Sequence, residues 1–256
     1  MGDEIIRAEP VRNRVSFLKV PVDIVQPDEL DRLTFNLLAE GKEQNVVLLS
    51  LWDLLRARHN SEYRDYVNNA ALVIPISKSI IRGIHFLQGK QAVRYMPFNF
   101  VIKLLTILEQ YEYSSYLFGG KKRVLIKIEK NLRETFPALR IVGRFPGGYR
   151  PQEEATIIEA IRKSSPSLLL VAKGVRGGEY WISRNSRLLG KGLRLWCSDL
   201  FDVFAERKRH PSEKVFELGL EWIGYTLQNP LKLFRFFPFM YFTILLLVYK
   251  IFKKKD

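Results

Sequence analysis

SLLLVAKGVRGGEYWISRN, Ser167–Asn185, decides how this chain folds. Leu168–Ala172 is an unbroken apolar run, the pattern of a strand buried on both faces of a parallel sheet. Gly174, Gly177 and Gly178 follow, and glycine lets a backbone curl tightly and lets a ligand come close to it. A helix is expected to open near Glu179, where its first N–H groups, unpaired within the helix, would face an anion. The stretch therefore reads as the ligand-binding corner of an α/β sheet, although a glycine-rich strand-to-helix turn can also be a turn and nothing more.

Working outward, the same rhythm recurs. Upstream, Pro151–Ser164 is a helix with Glu153 and Glu154 at its start and Arg162 and Lys163 at its end, matching the helix dipole. Before it, Ser115–Phe118 is a strand closed by Gly119-Gly120, Arg123–Phe136 an amphipathic helix, and Leu139–Gly143 a strand followed by a loop with Gly147 and Gly148. Downstream, Leu193–Ser198 is a further strand. Nearer the start, Val15–Val20, Asn45–Leu51 and Ala71–Ile76 read as strands. Helices are expected over Pro27–Gly41, Asp53–Asn60, Ser61–Asn69, Ser77–Leu87 and Phe98–Tyr111. Strands alternating with helices predict a mostly parallel, Rossmann-like α/β sheet with flanking helices. Its ligands are expected at the carboxyl ends of the strands, where three glycine-rich loops cluster.

The chain has 256 residues, 47% of them apolar, and a formal charge of +14. Such an excess fits a polyanionic partner: anionic lipid, phosphorylated substrate or nucleic acid. Nucleic acid is disfavoured, because no recognition motif and no aromatic–basic interleaving is visible. The single Cys197 rules out an internal disulfide and fits a reducing compartment. His59, His85 and His210 have no ligand spacing, so neither metal nor other cofactor is expected. The opening MGDEIIRAEPVRNR has no apolar run, and no signal peptide is expected from it.

The end of the chain differs. Phe236–Tyr249 is fourteen uncharged, mostly apolar residues between Lys232 and Arg235 on one side and Lys250, Lys253, Lys254 and Lys255 on the other. As a helix it would cover roughly 21 Å at about 1.5 Å per residue, against about 30 Å for a bilayer core. A helix dipping into one leaflet, with the lysines on anionic headgroups, is the first expectation. A tilted single span is the competing one.

Taken together, the motifs resemble the WecG/TagA/CpsF family of bacterial glycosyltransferases. The resemblance rests on an ordered set: Asn68-Asn69-Ala70 with Leu72-Val73 and Pro75; Leu117-Phe118-Gly119-Gly120; Phe136-Pro137-Ala138-Leu139-Arg140-Ile141-Val142-Gly143; Gly148-Tyr149 with Glu153-Glu154; Gly174 with Glu179 and Trp181-Ile182; Phe201-Asp202; Arg209 with Pro211; Gly219-Leu220-Glu221-Trp222; and Asn229-Pro230 with Arg235. It implies an inverting, metal-independent transfer of an N-acetylhexosaminyl-type sugar. The donor would be a UDP-sugar and the acceptor a polyprenyl-diphosphate-linked sugar, in cell-surface polysaccharide synthesis. It also implies an acceptor-side α/β subdomain at residues 1–112, a Rossmann-like donor-side subdomain at 113–218 and a membrane-associating helical appendage at 219–256. The protein would then sit peripherally or shallowly inserted on an anionic membrane surface, at the cytoplasmic face of the inner membrane, as a monomer or homo-oligomer.

The departures from the family pattern concern chemistry. Leu48 and Ser50 stand where the family has a Thr and an Asn, Ala71 and Ile76 where it has acids, Asn99 where it has an Asp, and Ser198-Asp199 where it has two glycines. In the glycine turn the family's Gln is lost while Glu179 stays, and Tyr225 and Leu231 stand in for tail arginines. The resemblance assigns the catalytic base to the carboxylate that Ala71 replaces. An inverting transfer needs a base for the acceptor hydroxyl and positive charge for the leaving diphosphate. Two readings follow. One is a divergent transferase with Glu179, Asp199 or Asp202 as base. Its substrate-binding set is Arg94, Gly119, Gly120, Gly174, Arg176, Gly177, Gly178, Arg209 and Arg235. The other is an inactive member acting as a membrane-bound binding or scaffold protein.

Overall fold

A computed structural model describes residues 13–219 and 236–253. The segment before residue 13, Glu221, Trp222, Tyr225, Leu231, Lys232, Arg235 and the terminal Lys254 and Lys255 lie outside the described residues.

The described residues begin with a hairpin rather than the single strand expected over Val15–Val20. Strands β1 (Asn13–Phe17) and β2 (Val20–Ile24) pair antiparallel. Leu18 and Lys19 between them both take left-handed φ values, 51° and 67°, the geometry that matches a two-residue turn to the twist of its strands. Asp23 is buried, takes two 2.7 Å bonds from the Arg14 guanidinium, and accepts the Val73 N–H at 2.7 Å. This clamp fixes the hairpin to the main sheet.

That sheet contains β3 (Glu43–Leu49), β4 (Leu72–Pro75), β5 (Ser114–Phe118), β6 (Arg140–Phe145), β7 (Leu168–Ala172) and β8 (Gly192–Ser198). All six strands run parallel, in the order β4-β3-β8-β7-β5-β6. The stretch read first is its centre: every residue of β7 is buried, because helices cover both faces. One face carries the hairpin, α2 (Leu51–His59), α3 (Ser61–Asn68), α4 (Lys78–Gln88), α7 (Glu154–Ser164) and α8 (Tyr180–Leu189). The other carries α1 (Pro27–Ala39), α5 (Pro97–Gln110), α6 (Lys122–Thr135) and α9 (Leu200–Phe204). The mostly parallel α/β fold expected from the sequence is the fold observed. The short helices α9 and α10 (Glu213–Leu218) are additions to it.

Helices leave β3 and β8 toward opposite faces, α2 to one and α9 to the other, although these strands are neighbours. Divergence of this kind opens a crevice at the carboxyl ends of the strands. The same happens between β5 and β7, but there the glycine loops close on one another. Gly120 donates to the Lys173 carbonyl at 2.6 Å, Gly147 to that of Gly120 at 2.9 Å and Gly148 to that of Gly174 at 2.7 Å. A Cβ on Gly147 would stand 2.4 Å from the Gly174 carbonyl carbon. Here glycine serves the approach of backbone to backbone.

The last helix, α11 (Phe236–Lys253), has 18 residues, four more than expected, and spans about 27 Å. It lies on the hairpin face. Phe242 is buried edge-on against Phe17, with ring centroids 6.2 Å apart. Gly83 permits this contact, since a Cβ there would come within 2.6 Å of Phe17 and 3.0 Å of Phe242. Tyr241 meets His59 at 3.1 Å, Arg58 donates to the Tyr249 hydroxyl at 3.2 Å, and Lys250 to the Phe86 carbonyl at 2.9 Å. The opposite side is an exposed apolar stripe that includes Met240, Ile244, Leu247, Ile251 and Phe252. Among the described residues no helix is long and apolar enough to cross a membrane.

Candidate functional site

A cleft of about 700 Å³ occupies the crevice at the carboxyl ends of β3 and β8. Two charged clusters line it. In the first, Ser50 caps α2: its N–H and hydroxyl donate to Asp53 Oδ2 at 3.1 and 2.5 Å, and it accepts the Asp53 N–H at 3.3 Å. The cap turns the Asp53 carboxylate toward the cleft, one helical turn before Arg56. Arg56 donates to Asp53 Oδ1 at 2.7 Å and pairs with Glu179, and its guanidinium lies 3.7 Å from the centre of the Tyr63 ring. The Tyr63 hydroxyl donates to the other Glu179 oxygen at 3.2 Å. Burial, and then the charge of Asp53, push the Glu179 carboxyl above its ordinary range despite Arg56 and Tyr63. Tyr66, also of the cleft lining, is buried; its hydroxyl has no protein partner among the described residues.

The second is cationic. Asp199, at the start of α9, pairs with Lys173 and with Lys208 Nζ at 2.9 Å. Burial works to raise its carboxyl, but the two lysines outweigh burial and hold it below the usual range. Arg209 lines the wall beyond, and His210 stacks on Phe98 with centroids 4.7 Å apart. Arg94 donates to the carbonyls of Ile76 at 2.8 Å and Phe216 at 2.5 Å, and covers the Phe216 ring at 3.7 Å, so it also fastens α10 to the cleft.

Of the residues singled out in the sequence, the cleft gathers Glu179, Asp199, Arg94 and Arg209. Gly119, Gly120, Gly174, Gly177 and Gly178 do not line it; they shape the neighbouring loops. Arg176 lies beside Tyr149. Asp202 pairs with Arg207 at 3.2 Å on the outside of α9. Arg235 is outside the described residues. Among the substituted family positions, Leu48, Ser50, Ile76, Ser198 and Asp199 face the cleft. Ala71 does not, so a base at its position would stand away from this cleft. It precedes β4, and at about 3.3 Å per residue it lies roughly 16 Å from Ile76. Its carbonyl accepts from Arg14 at 3.4 Å at the amino end of the strand, away from the cleft. Of the two positions where the resemblance implies an acid, Ile76 is the one that lines the cleft.

Asp53, Arg56, Tyr63 and Tyr66 were not singled out in the sequence. The Ser50-x-x-Asp53 spacing of a capping box was legible there, but that the cap faces a cleft depends on β8, which pairs with β3 from far along the chain.

Comparison with known proteins places the chain in a family. The pattern of the Glycosyl transferase WecG/TagA/CpsF family matches residues 15–256. Two similar proteins are N-acetylglucosaminyldiphosphoundecaprenol N-acetyl-beta-D-mannosaminyltransferases. The one from Bacillus spizizenii (strain ATCC 23059 / NRRL B-14472 / W23) is 22% identical over 174 residues, 68% of this chain and 67% of the relative. The one from Bacillus subtilis (strain 168) is 21% identical over 169 residues, 66% and 65%. With the family pattern spanning nearly the whole chain over a parallel α/β fold, this chain belongs to the WecG/TagA/CpsF family of glycosyl transferases.

Proposed function

We propose that the cleft between β3 and β8 transfers an N-acetylhexosaminyl-type sugar from a UDP-sugar to a polyprenyl-diphosphate-linked sugar. The observation that carries this reading is that the cleft holds two kinds of charged cluster: Asp53 and Glu179 around Arg56, and the cations Lys208 and Arg209 with Asp199. A sugar diphosphate has the complementary polarity. Glu179 is the proposed base: a buried carboxyl raised toward neutrality is the better match for proton abstraction. Lys208 and Arg209 would meet the diphosphate, and Asp199 would position Lys208. In this reading residues 1–112 serve the acceptor, 113–218 the donor, and α11 the membrane. The exposed stripe of α11 would lie in the headgroup region of an anionic, cytoplasm-facing leaflet.

The test is transfer from UDP-N-acetylmannosamine or UDP-N-acetylglucosamine to a short-chain polyprenyl-diphosphate N-acetylglucosamine in detergent. Glu179→Gln is expected to lower kcat by 10² or more, in line with the worth of a general base, while retaining UDP-sugar binding. An unchanged kcat sinks the assignment of Glu179.

A second reading is favoured by Leu48 and Ile76, apolar where the cleft of the family carries polar groups, and by the occupation of Glu179 and Asp199 by cations. It is a binding or scaffold protein that holds a lipid-linked sugar without turnover. Binding of both substrates with no product would favour it.

A further inference from the structure

Tyr66 comes from α3, and its ring is almost wholly enclosed, 2% exposed, in the core between α3 and the sheet. Tyr66 belongs to the cleft lining, and its hydroxyl, out of contact with solvent, has no protein partner among the described residues. A buried hydroxyl without a partner is costly, and phenylalanine would fill the same space without the cost. Its electrostatic neighbours are Glu179 and Asp53, whose oxygens are already taken by Arg56, Tyr63 and Ser50. This cluster thus has its own groups paired off, with this hydroxyl left over. Burial, with Glu179 and Asp53 nearby, pushes its ionisation far above the usual tyrosine range, so it remains a neutral donor at any working pH. Arg56, bonded to both Asp53 and Glu179, offsets one of the two carboxylates beside it, so the surroundings do not favour an anion, while Lys208 and Arg209 also line the cleft. The group that suits this place is a neutral, hydroxyl-rich ring, and Trp52, half exposed at the rim, offers it an apolar face.

We infer that Tyr66 is a specificity-determining residue that donates its hydroxyl to the pyranose ring of a bound N-acetylhexosaminyl diphosphate, oriented with its diphosphate toward Lys208 and Arg209. The inference deepens the proposed function and rests on it. Both substrates of that reaction carry this chemistry, the nucleotide-linked sugar and the lipid-linked one.

The experiment compares the full chain with Tyr66→Phe by titration calorimetry in detergent. The probes are UDP, UDP-N-acetylmannosamine, UDP-N-acetylglucosamine, farnesyl diphosphate and farnesyl-diphosphate N-acetylglucosamine. The expected result is about a tenfold loss of affinity, the worth of one buried hydrogen bond, for a sugar-bearing probe with no change for its sugar-free counterpart. A loss confined to the UDP-sugars makes the ring that of the donor; a loss confined to the farnesyl compound makes it that of the acceptor. The unliganded variant is expected to melt at the same temperature or about 2–4 °C higher, because an unpaired hydroxyl has been removed. A tyrosine with a structural role would lower it. Equal affinities in the two proteins, for sugars the native chain binds, overturn the inference and leave the proposed function standing. A native chain that binds none of the sugar-bearing probes overturns both.

Discussion

Arg56 reaches from α2 to Glu179, 123 residues later in the chain, and ties together one charged cluster of the cleft. The pair is backed on one side by Asp53 and on the other by the Tyr63 ring and hydroxyl. Removing the cation would leave two carboxylates side by side with little solvent. Arg56→Ala is therefore expected to cost about 2–3 kcal/mol, the range for stranding a partly buried charge. Urea unfolding measures it. Arg56→Ala with Glu179→Gln should recover part of the loss, since one of the stranded charges has gone; a double variant as unstable as the sum of the singles would contradict the coupling.

The glycine loops give a graded prediction. Gly147→Ala drives a Cβ into the Gly174 backbone, whereas Gly148→Ala meets nothing within 4 Å and bears only its positive φ of 73°. The first should cost about 3 kcal/mol or prevent folding, the second roughly 1 kcal/mol. Thermal melting of the two variants, side by side, checks the order.

The docking of α11 depends on Phe242 and on the missing side chain of Gly83. Phe242→Ala should weaken it by about 3 kcal/mol, and Gly83→Val should push the helix off its seat. The readout is limited proteolysis: both variants are expected to be cut ahead of α11 faster than the native chain, with the α/β domain left intact.

Ile76→Asp restores a carboxylate at the place in the cleft where the family carries an acid. If Glu179, held by Arg56, is a poor base and the carboxylate absent at Ile76 limits turnover, this change should raise kcat on the order of 10²-fold. Ala71→Asp, at the other end of β4, should raise nothing. Equal responses from the two would refute the geometric distinction between them.

Asp199 sets an acid limb on stability. Its folded carboxyl lies below the ordinary 3.8, since Lys173 and Lys208 outweigh burial. The unfolded chain therefore binds the proton more readily. The stabilisation is complete above that ordinary value and is lost as pH falls through the folded one. Lys173 and Lys208 are both more than a third exposed, so the effect at neutral pH is under about 1 kcal/mol. Asp199→Asn should flatten the stability curve below pH 4 in denaturant titrations, and a curve that keeps its native slope there would exclude Asp199 as the source.

The sequence by itself determined the sheet and much of its covering. The apolar run Leu168–Ala172 could only be satisfied by burial on both faces, and the 3.6-residue pattern of helices such as Pro27–Ala39 marked the sides that cover it. These are local consequences of hydrophobic periodicity, readable without knowing what packs on what. The turn at Leu18-Lys19 escaped this reading because neither residue advertises a left-handed conformation. Tertiary structure alone decided the site. Strand order set β8 beside β3, so the open crevice fell at Ser50 and Asp199 and the glycine loops of β5 and β7 closed on each other. The direction of β4 put Ala71 and Ile76, near neighbours in sequence, at opposite ends of that strand, and the strand order joined Arg56 to Glu179 across more than a hundred residues. Which carboxylate faces a substrate is a property of strand order and direction, and neither is written in the spacing of the residues themselves.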